Sequence, residues 1–175
     1  MRISRKAIAL YVALSIVLIS SAIAITQVVY VLEIRDLTEG KTIMRVLTSP
    51  GDRFEMSYIH SIYGGLVHEI YNIDEDYKIV MVEATFEKEM ACVYCFPDKK
   101  YDIVDSLVRV RDLGMKFEHI TIRFSTTSGR VINHRGSTIT LSQYSKHGDL
   151  VEIDVRRTHN IALVFDNLLK LGRDR

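Results

Sequence analysis

Three residue types that could take part in chemistry lie close together in one segment of the sequence. His60 and Ser61 end one alternating run, and Glu69 lies on the run that returns after Gly64 and Gly65. A histidine hydrogen-bonded to a carboxylate can move a proton or hold a ligand, and a neighbouring hydroxyl can assist. Burying either ionised group without a partner is costly, so mutual pairing inside the fold is the structural alternative.

The alternation around these residues predicts a β-hairpin. The first strand buries Met56 and Tyr58 on the face that ends in His60, and the second strand places Glu69 on its buried face. If Tyr58 pairs with Glu69, His60 lies diagonally at about 7 to 8 Å from the glutamate and can reach it. If Met56 pairs with Glu69, the separation is about 13 to 14 Å and the two cannot meet. Both registers bury the same faces, so the sequence leaves the register open.

We therefore take His60, Ser61, Tyr58 and Glu69 as candidate binding or structural-site residues and assign no catalytic residue. A Ser-His nucleophile needs the hydroxyl to approach the imidazole from a separate element, whereas adjacent residues at one strand end diverge. The sequence also has no Gly-x-Ser-x-Gly motif.

A C-x-x-C motif is the second candidate for chemistry. Cys92 and Cys95 could form a short disulfide outside the cytoplasm, exchange electrons with a partner, or supply half of a metal site. A redox motif normally opens a helix in a βαβ context, and a zinc site needs further ligands from the histidines or from a second chain. A disulfide or a pair of free structural thiols is the favoured interpretation, and we assign no metal and no cofactor.

The N-terminal segment predicts a membrane helix or a signal peptide. Arg2, Arg5 and Lys6 precede residues 7–32, which carry no charge. Cations before an apolar run hold the N-terminus in the cytoplasm and send the following chain across the membrane. Cleavage after Ala24, which follows a signal-peptide pattern, would release a secreted protein. The length of the uncharged run favours a retained single-pass anchor.

The composition favours one β-rich domain after this leader, so we place an anchor or signal peptide at 1–27 and an extracytoplasmic domain at 28–175. Three of the 23 cations lie in the leader, which leaves 20 cations against 22 carboxylates. This balance is not that of a phosphate-binding surface, and we expect no nucleic-acid partner.

Short alternating runs with turn signals predict an antiparallel β-sandwich or small barrel, with the transmembrane helix and one or two short helices. Helical spacing of apolar residues predicts a short helix in Tyr101–Leu113, although Leu107–Val110 also alternates as a strand does. A second helix is predicted over Asn160–Leu171, and residues 87–100 are expected to be irregular.

Several of these motifs resemble an uncharacterised exported family, the domain of unknown function numbered 1850. The resemblance rests on the run Pro50–Phe54, on Tyr58-Ile-His60-Ser61 and on Val67-x-Glu69, and it continues through later strands from Ile122 to Arg157. It implies a membrane-anchored or exported protein associated with permeases of tripartite ATP-independent transporters, without an established activity. The chain departs from the family's pattern at Gly129–Arg130, where relatives often carry a histidine, and at the cysteine pair.

These observations lead to two hypotheses. The first is an extracytoplasmic accessory or interaction domain of a TRAP-type solute transporter, attached to the cell membrane by its N-terminal helix, with a permease or a solute-binding protein as partner. The alternative is an exported metal-binding or hydrolytic protein that uses His60, Glu69 and the Cys92/Cys95 pair. The first is more consistent with the absence of a catalytic motif in the sequence.

Overall fold

The computed structural model describes residues 5–161 and 163, with side chains for 11–22, 26–161 and 163, and it confirms a mainly antiparallel β protein. In chain order the elements are α1 (Arg5–Thr26), β1 (Val28–Asp36), β2 (Lys41–Leu47), β3 (Arg53–Ile59), β4 (Leu66–Ile73), β5 (Ile79–Phe86), α2 (Glu89–Cys95), β6 (Asp102–Val104), β7 (Leu107–Val110), β8 (Met115–Phe117), β9 (His119–Arg123), β10 (Val131–His134), β11 (Ser137–Thr140) and β12 (Leu150–His159). A 3-10 turn at Leu141–Gln143 lies between β11 and β12.

Contacts divide the chain into two units, of which Tyr30–Arg156 contains the core and the site. The other unit comprises the described residues before and after it, including α1. Within the described part of the chain, no helix combines the length and the apolar character that crossing a bilayer requires.

Two antiparallel sheets make up the unit Tyr30–Arg156. The smaller sheet has the order β2-β1-β12-β9, and the larger has the order β11-β10-β3-β4-β5-β7-β6, with β8 also paired to β5. One apolar cluster joins them: Leu32 and Ile153 come from the smaller sheet, and Phe54, Tyr71 and Ile132 come from the larger. Because each sheet buries one face against the other, the arrangement is that of a sandwich.

Charged side chains connect the strands of the smaller sheet. Glu33 lies opposite Arg45 in the β1–β2 register and forms an ion pair with it. Arg35 Nε lies 3.2 Å from the carboxylate of the same Glu33. Arg35 also pairs with Glu152 on β12, and this hydrogen bond lowers the pKa of Glu152. Arg156 Nη2 lies 3.3 Å from the same Glu152 carboxylate. The nearly buried carboxylate of Glu33 is therefore one member of a network and not of an isolated pair.

The helix predicted over Tyr101–Leu113 is wrong, because that segment forms the hairpin of β6 and β7. Asp105 and Ser106 connect the two strands with φ angles of 51° and 67°. Two successive positive φ angles give the twist of a two-residue type I′ turn, which joins antiparallel strands directly. The alternating burial of Val108 and Val110 then outweighs the helical spacing of the same apolar residues.

Residues 87–100 are more regular than expected, because they contain α2. This helix buries Ala91 and Cys92 and ends before Pro97, whose ring cannot continue a helix. The helix predicted over Asn160–Leu171 lies almost entirely outside the described residues.

Candidate functional site

The hairpin of β3 and β4 adopts the second of the two registers that the sequence left open. Met56 pairs with Glu69 and Tyr58 pairs with Val67. His60, beyond the end of β3, is therefore too far along the hairpin to meet the glutamate. Glu69 and His60 are both buried, and each has other partners.

Two tyrosine hydroxyls, and not His60, donate hydrogen bonds to Glu69. Tyr58 lies diagonally across the hairpin and donates to Oε1 at 2.8 Å, and Tyr71 donates to Oε2 at 2.7 Å. Burial raises the pKa of both hydroxyls above the usual range of tyrosine, and the neighbouring carboxylate raises it further. Both hydroxyls therefore remain protonated and act as hydrogen-bond donors to Glu69.

Arg130, just before β10, completes this cluster from the neighbouring strand. Its guanidinium carbon lies 4.2 Å from the centre of the Tyr58 ring, and Nη1 donates to Met56 Sδ at 3.4 Å. Its Nε is buried and has no hydrogen-bond partner among the described residues. A thioether is a weak acceptor, so the donors of this guanidinium are poorly satisfied by the protein.

A cavity of about 340 Å³ opens between the two sheets at this cluster. Glu69 and Arg130 line it from the larger sheet, and Ile120 and Arg123 line it from β9. A second cavity of about 220 Å³ shares both arginines and Tyr58 and reaches His60 and Ser61 at the tip of the hairpin. Of the sequence candidates, Tyr58 and Glu69 therefore lie at the larger cavity.

The side chain of His60 stabilises the β3–β4 turn by accepting hydrogen bonds from the backbone of the turn. Its Nδ1 accepts hydrogen bonds from the N–H groups of Ile62 at 3.3 Å and Tyr63 at 3.2 Å. Because Nδ1 is an acceptor, the proton of the neutral ring lies on Nε2, which is 3.6 Å from Cys95 Sγ. An Nε2–H that points at sulfur cannot remove a proton from it. Ser61 is exposed beside this turn.

The two cysteines are not bonded to each other in the structure, and their surroundings disfavour the thiolate. Burial raises the pKa of Cys92 to about 11 and also raises the pKa of Cys95, to which the charge of Glu69 contributes. Cys95 is the last residue of α2, where the helix dipole disfavours negative charge, whereas reactive cysteines lie at helix N-termini. The disulfide stays a prediction.

A metal centre finds no support in the geometry of the described side chains. No group of three or more histidine, cysteine, aspartate or glutamate residues among them is arranged to hold a metal ion. His60 and Cys95 approach each other, but His60 already uses Nδ1 for the turn, and Glu69 is engaged by tyrosines.

We expect His60→Ala to lower the free energy of unfolding by about 1 kcal/mol, because two turn N–H groups lose their shared acceptor. His60→Asn should retain most of the stability, since an asparagine Oδ1 can accept from the same turn. Thermal unfolding followed by circular dichroism compares the two variants. Equal losses in both would show that the imidazole is needed for something other than the turn.

Sequence reasoning did not select Arg123, Arg130 or Tyr71 for this site. Arg130 entered the sequence analysis only as a position where the chain departs from the family's pattern. Arg123 does not share the face of β9 on which Ile120 and Ile122 are the more buried residues. The pairing of β10 with β3, which brings Arg130 over Tyr58, joins segments more than 70 residues apart. The sequence indicated this site only through polar residues on the buried faces of the alternating β3 and β4 runs. Of the residues at the larger cavity, that pattern selected Tyr58 and Glu69.

Comparison with known proteins provides no relative. No family model, no curated protein and no solved structure matches this chain. The resemblance to the exported family therefore stays a prediction.

Proposed function

We propose that this chain is a membrane-anchored extracytoplasmic domain that serves as an interaction subunit of a solute transporter of the tripartite ATP-independent type. Its partner is the permease, or the solute-binding protein that delivers to it. The observation that carries the interaction role is an apolar surface at the tip of the β3–β4 hairpin.

This surface, the tip patch, combines the hairpin turn with α2. It comprises Ile62, Tyr63, Leu66, Met90 and Tyr94. The Tyr63 and Tyr94 rings pack with their centres 5.7 Å apart, and Met90 lies one turn before Tyr94 on α2. Ile62, Met90 and Tyr94 are 62%, 58% and 59% exposed. Clustered exposed apolar side chains are typical of a surface that another protein covers.

The sequence of the leader supports the anchored, exported location. Arg2, Arg5 and Lys6 favour a cytoplasmic N-terminus. The described side chains of α1 from Tyr11 to Ile19 are apolar or small, and their large members are exposed by more than half. The described part of α1 does not by itself meet the requirement for crossing a bilayer, so the proposed anchor rests on the length of the uncharged run 7–32 in the sequence.

The competing hydrolytic or metal-binding function has weaker support. The thiol of Cys95 has a raised pKa, and the lone pair that His60 would need as a base is occupied by backbone N–H groups. Both oxygens of Glu69 accept hydrogen bonds from tyrosine hydroxyls, so this carboxylate is not positioned to act as a base with His60 or Cys95. A binding role uses the same groups without these conflicts.

Photocross-linking from the tip patch tests the proposal in cells that contain a tripartite transporter. A photoreactive amino acid at Ile62 should cross-link to a membrane protein that mass spectrometry identifies as the permease, or to the solute-binding protein. The same group at Leu37, an exposed apolar position in the β1–β2 turn, is the matched control.

The cross-link should disappear when Tyr94→Asp is combined with the reactive group at Ile62, because a charge then enters the contact. Cross-linking that is no stronger from Ile62 than from Leu37 would contradict the interaction role. Protease protection in spheroplasts tests location separately: a domain that resists external protease until the membrane is permeabilised would contradict export.

A further inference from the structure

The cavity between the sheets is lined by a guanidinium group, that of Arg130, whose hydrogen-bond donors the protein satisfies poorly. Arg130 forms no ion pair with a described carboxylate, its buried Nε has no hydrogen-bond partner among the described residues, and Nη1 donates to the sulfur of Met56. The carboxylate of Glu69 on the cavity wall has each oxygen engaged by a tyrosine hydroxyl. A guanidinium of this kind has a strong preference for a planar oxyanion that accepts two parallel hydrogen bonds.

The charges at the cavity indicate a singly charged ligand. Arg123 lines the cavity beside Arg130 and donates from Nη1 to the Gly148 carbonyl at 3.0 Å, which leaves further N–H groups for a ligand. Two guanidinium groups and the Glu69 carboxylate leave one net positive charge. A monoanion neutralises that charge, whereas a doubly charged phosphate would leave a negative excess in a partly buried site.

The remaining wall indicates what accompanies the anionic group. Met81, Phe117, Ile120 and Ile122 contribute apolar surface to the same cavity, and its volume of about 340 Å³ exceeds what a bare anion needs. Small-molecule sites commonly combine such apolar walls with a few convergent polar groups. The Tyr58 and Tyr71 oxygens, which donate to Glu69, keep lone pairs that can accept a hydrogen bond.

We propose that this cavity is a binding site for a small organic monocarboxylate, with Arg130 binding the carboxylate in a two-pronged contact and Arg123 assisting. The apolar walls contact the hydrocarbon part of the ligand. The tip patch takes no part in this contact, so the proposal is independent of the interaction role.

Isothermal titration of the full-length protein in nanodiscs tests the proposal with four probes: acetate, hexanoate, hexanamide and inorganic phosphate. Hexanoate should bind saturably and, because its methylene groups become buried, about tenfold or more tighter than acetate. Hexanamide, which has the same shape without the charge, should show no saturable heat. Phosphate should bind more weakly than hexanoate.

Arg130→Gln should weaken hexanoate binding by about a hundredfold, in line with the loss of a charged two-pronged contact. Arg53→Gln is the matched control, since Arg53 pairs with Glu55 on β3 and does not line the cavity. Its hexanoate affinity should equal that of the wild-type protein. Arg130→Lys keeps the charge but not the planar fork, and it should bind about tenfold more weakly than the wild-type protein.

Circular dichroism shows whether Arg130→Gln folds. If it does not fold, the hexanoate affinity of Arg130→Lys decides the result. The proposal is overturned if none of the probes binds, if hexanamide binds as well as hexanoate, or if phosphate binds better. It is also overturned if hexanoate affinity survives in a folded Arg130→Gln variant or is unchanged in Arg130→Lys. None of these outcomes depends on whether a transporter partner exists.

Discussion

Replacement of Glu69 by leucine is expected to lower the free energy of unfolding by about 3 kcal/mol, even though it removes a buried charge and adds apolar surface. Tyr58 and Tyr71 both lose the acceptor of their hydroxyl groups, because each hydroxyl donates to a Glu69 oxygen. A buried donor without an acceptor costs about 1 to 3 kcal/mol. For a domain of this size the melting temperature should fall by about 10 °C.

Glu69→Gln is the matched control for this effect. The amide keeps one acceptor oxygen of the same shape, so one tyrosine remains paired and the other can accept from the amide N–H. Its loss should be less than half of that in Glu69→Leu, as measured by thermal unfolding with circular dichroism. A leucine variant as stable as the wild-type protein would mean that the tyrosine-carboxylate cluster is not a structural element of the fold.

Phe54→Ala is expected to have the largest effect on stability, about 3 to 5 kcal/mol. Phe54 is fully buried, and its ring stacks on that of Tyr71 with centres 4.7 Å apart and planes within 6°. Its strand lies between β4 and β10, so a cavity at this position is enclosed on both sides and cannot collapse easily. The melting temperature should fall by at least about 10 °C.

Ile59→Ala, at the other end of the same strand, is the control because the side chain is 42% exposed. It should change the free energy of unfolding by no more than about 0.5 kcal/mol. Urea denaturation of both variants at one temperature measures the difference directly. Similar losses at the two positions would be inconsistent with a core that is centred on Phe54.

The fold class followed from the sequence because several strands, among them β3, β10 and the first half of β12, alternate buried and more exposed positions. In β3 and β4 the inward sets, which contain Met56, Tyr58 and Glu69, are those that the alternation indicates. The register did not follow, since a shift by two residues keeps every side chain on its face. That one ambiguity decided whether Glu69 would meet His60 or two tyrosines.

The helix-strand error at residues 101–113 has a local cause. Apolar residues at 103, 104, 107 and 108 satisfy the spacing of a helix. The two-residue turn of Asp105 and Ser106 contains no glycine or asparagine, the residues that usually indicate such a turn in a sequence. The arginines of the cavity were missed for a different reason. Arg123 and Arg130 line the same cavity as Glu69 and its tyrosines only because the two sheets pack together and β10 pairs with β3, and no local pattern in the sequence predicts such long-range packing.

The charged network on the smaller sheet has a consequence for how the protein responds to heat. Glu33, Arg35, Glu152 and Arg156 are joined across β1 and β12, where each ion has more than one counter-ion. The hydration of ions becomes less favourable as temperature rises, so the cost of withdrawing them from water falls on warming. The gain from apolar burial levels off over the same range. The smaller sheet should thus supply a growing share of the stability of the protein in hot solution, and high salt should reduce that share.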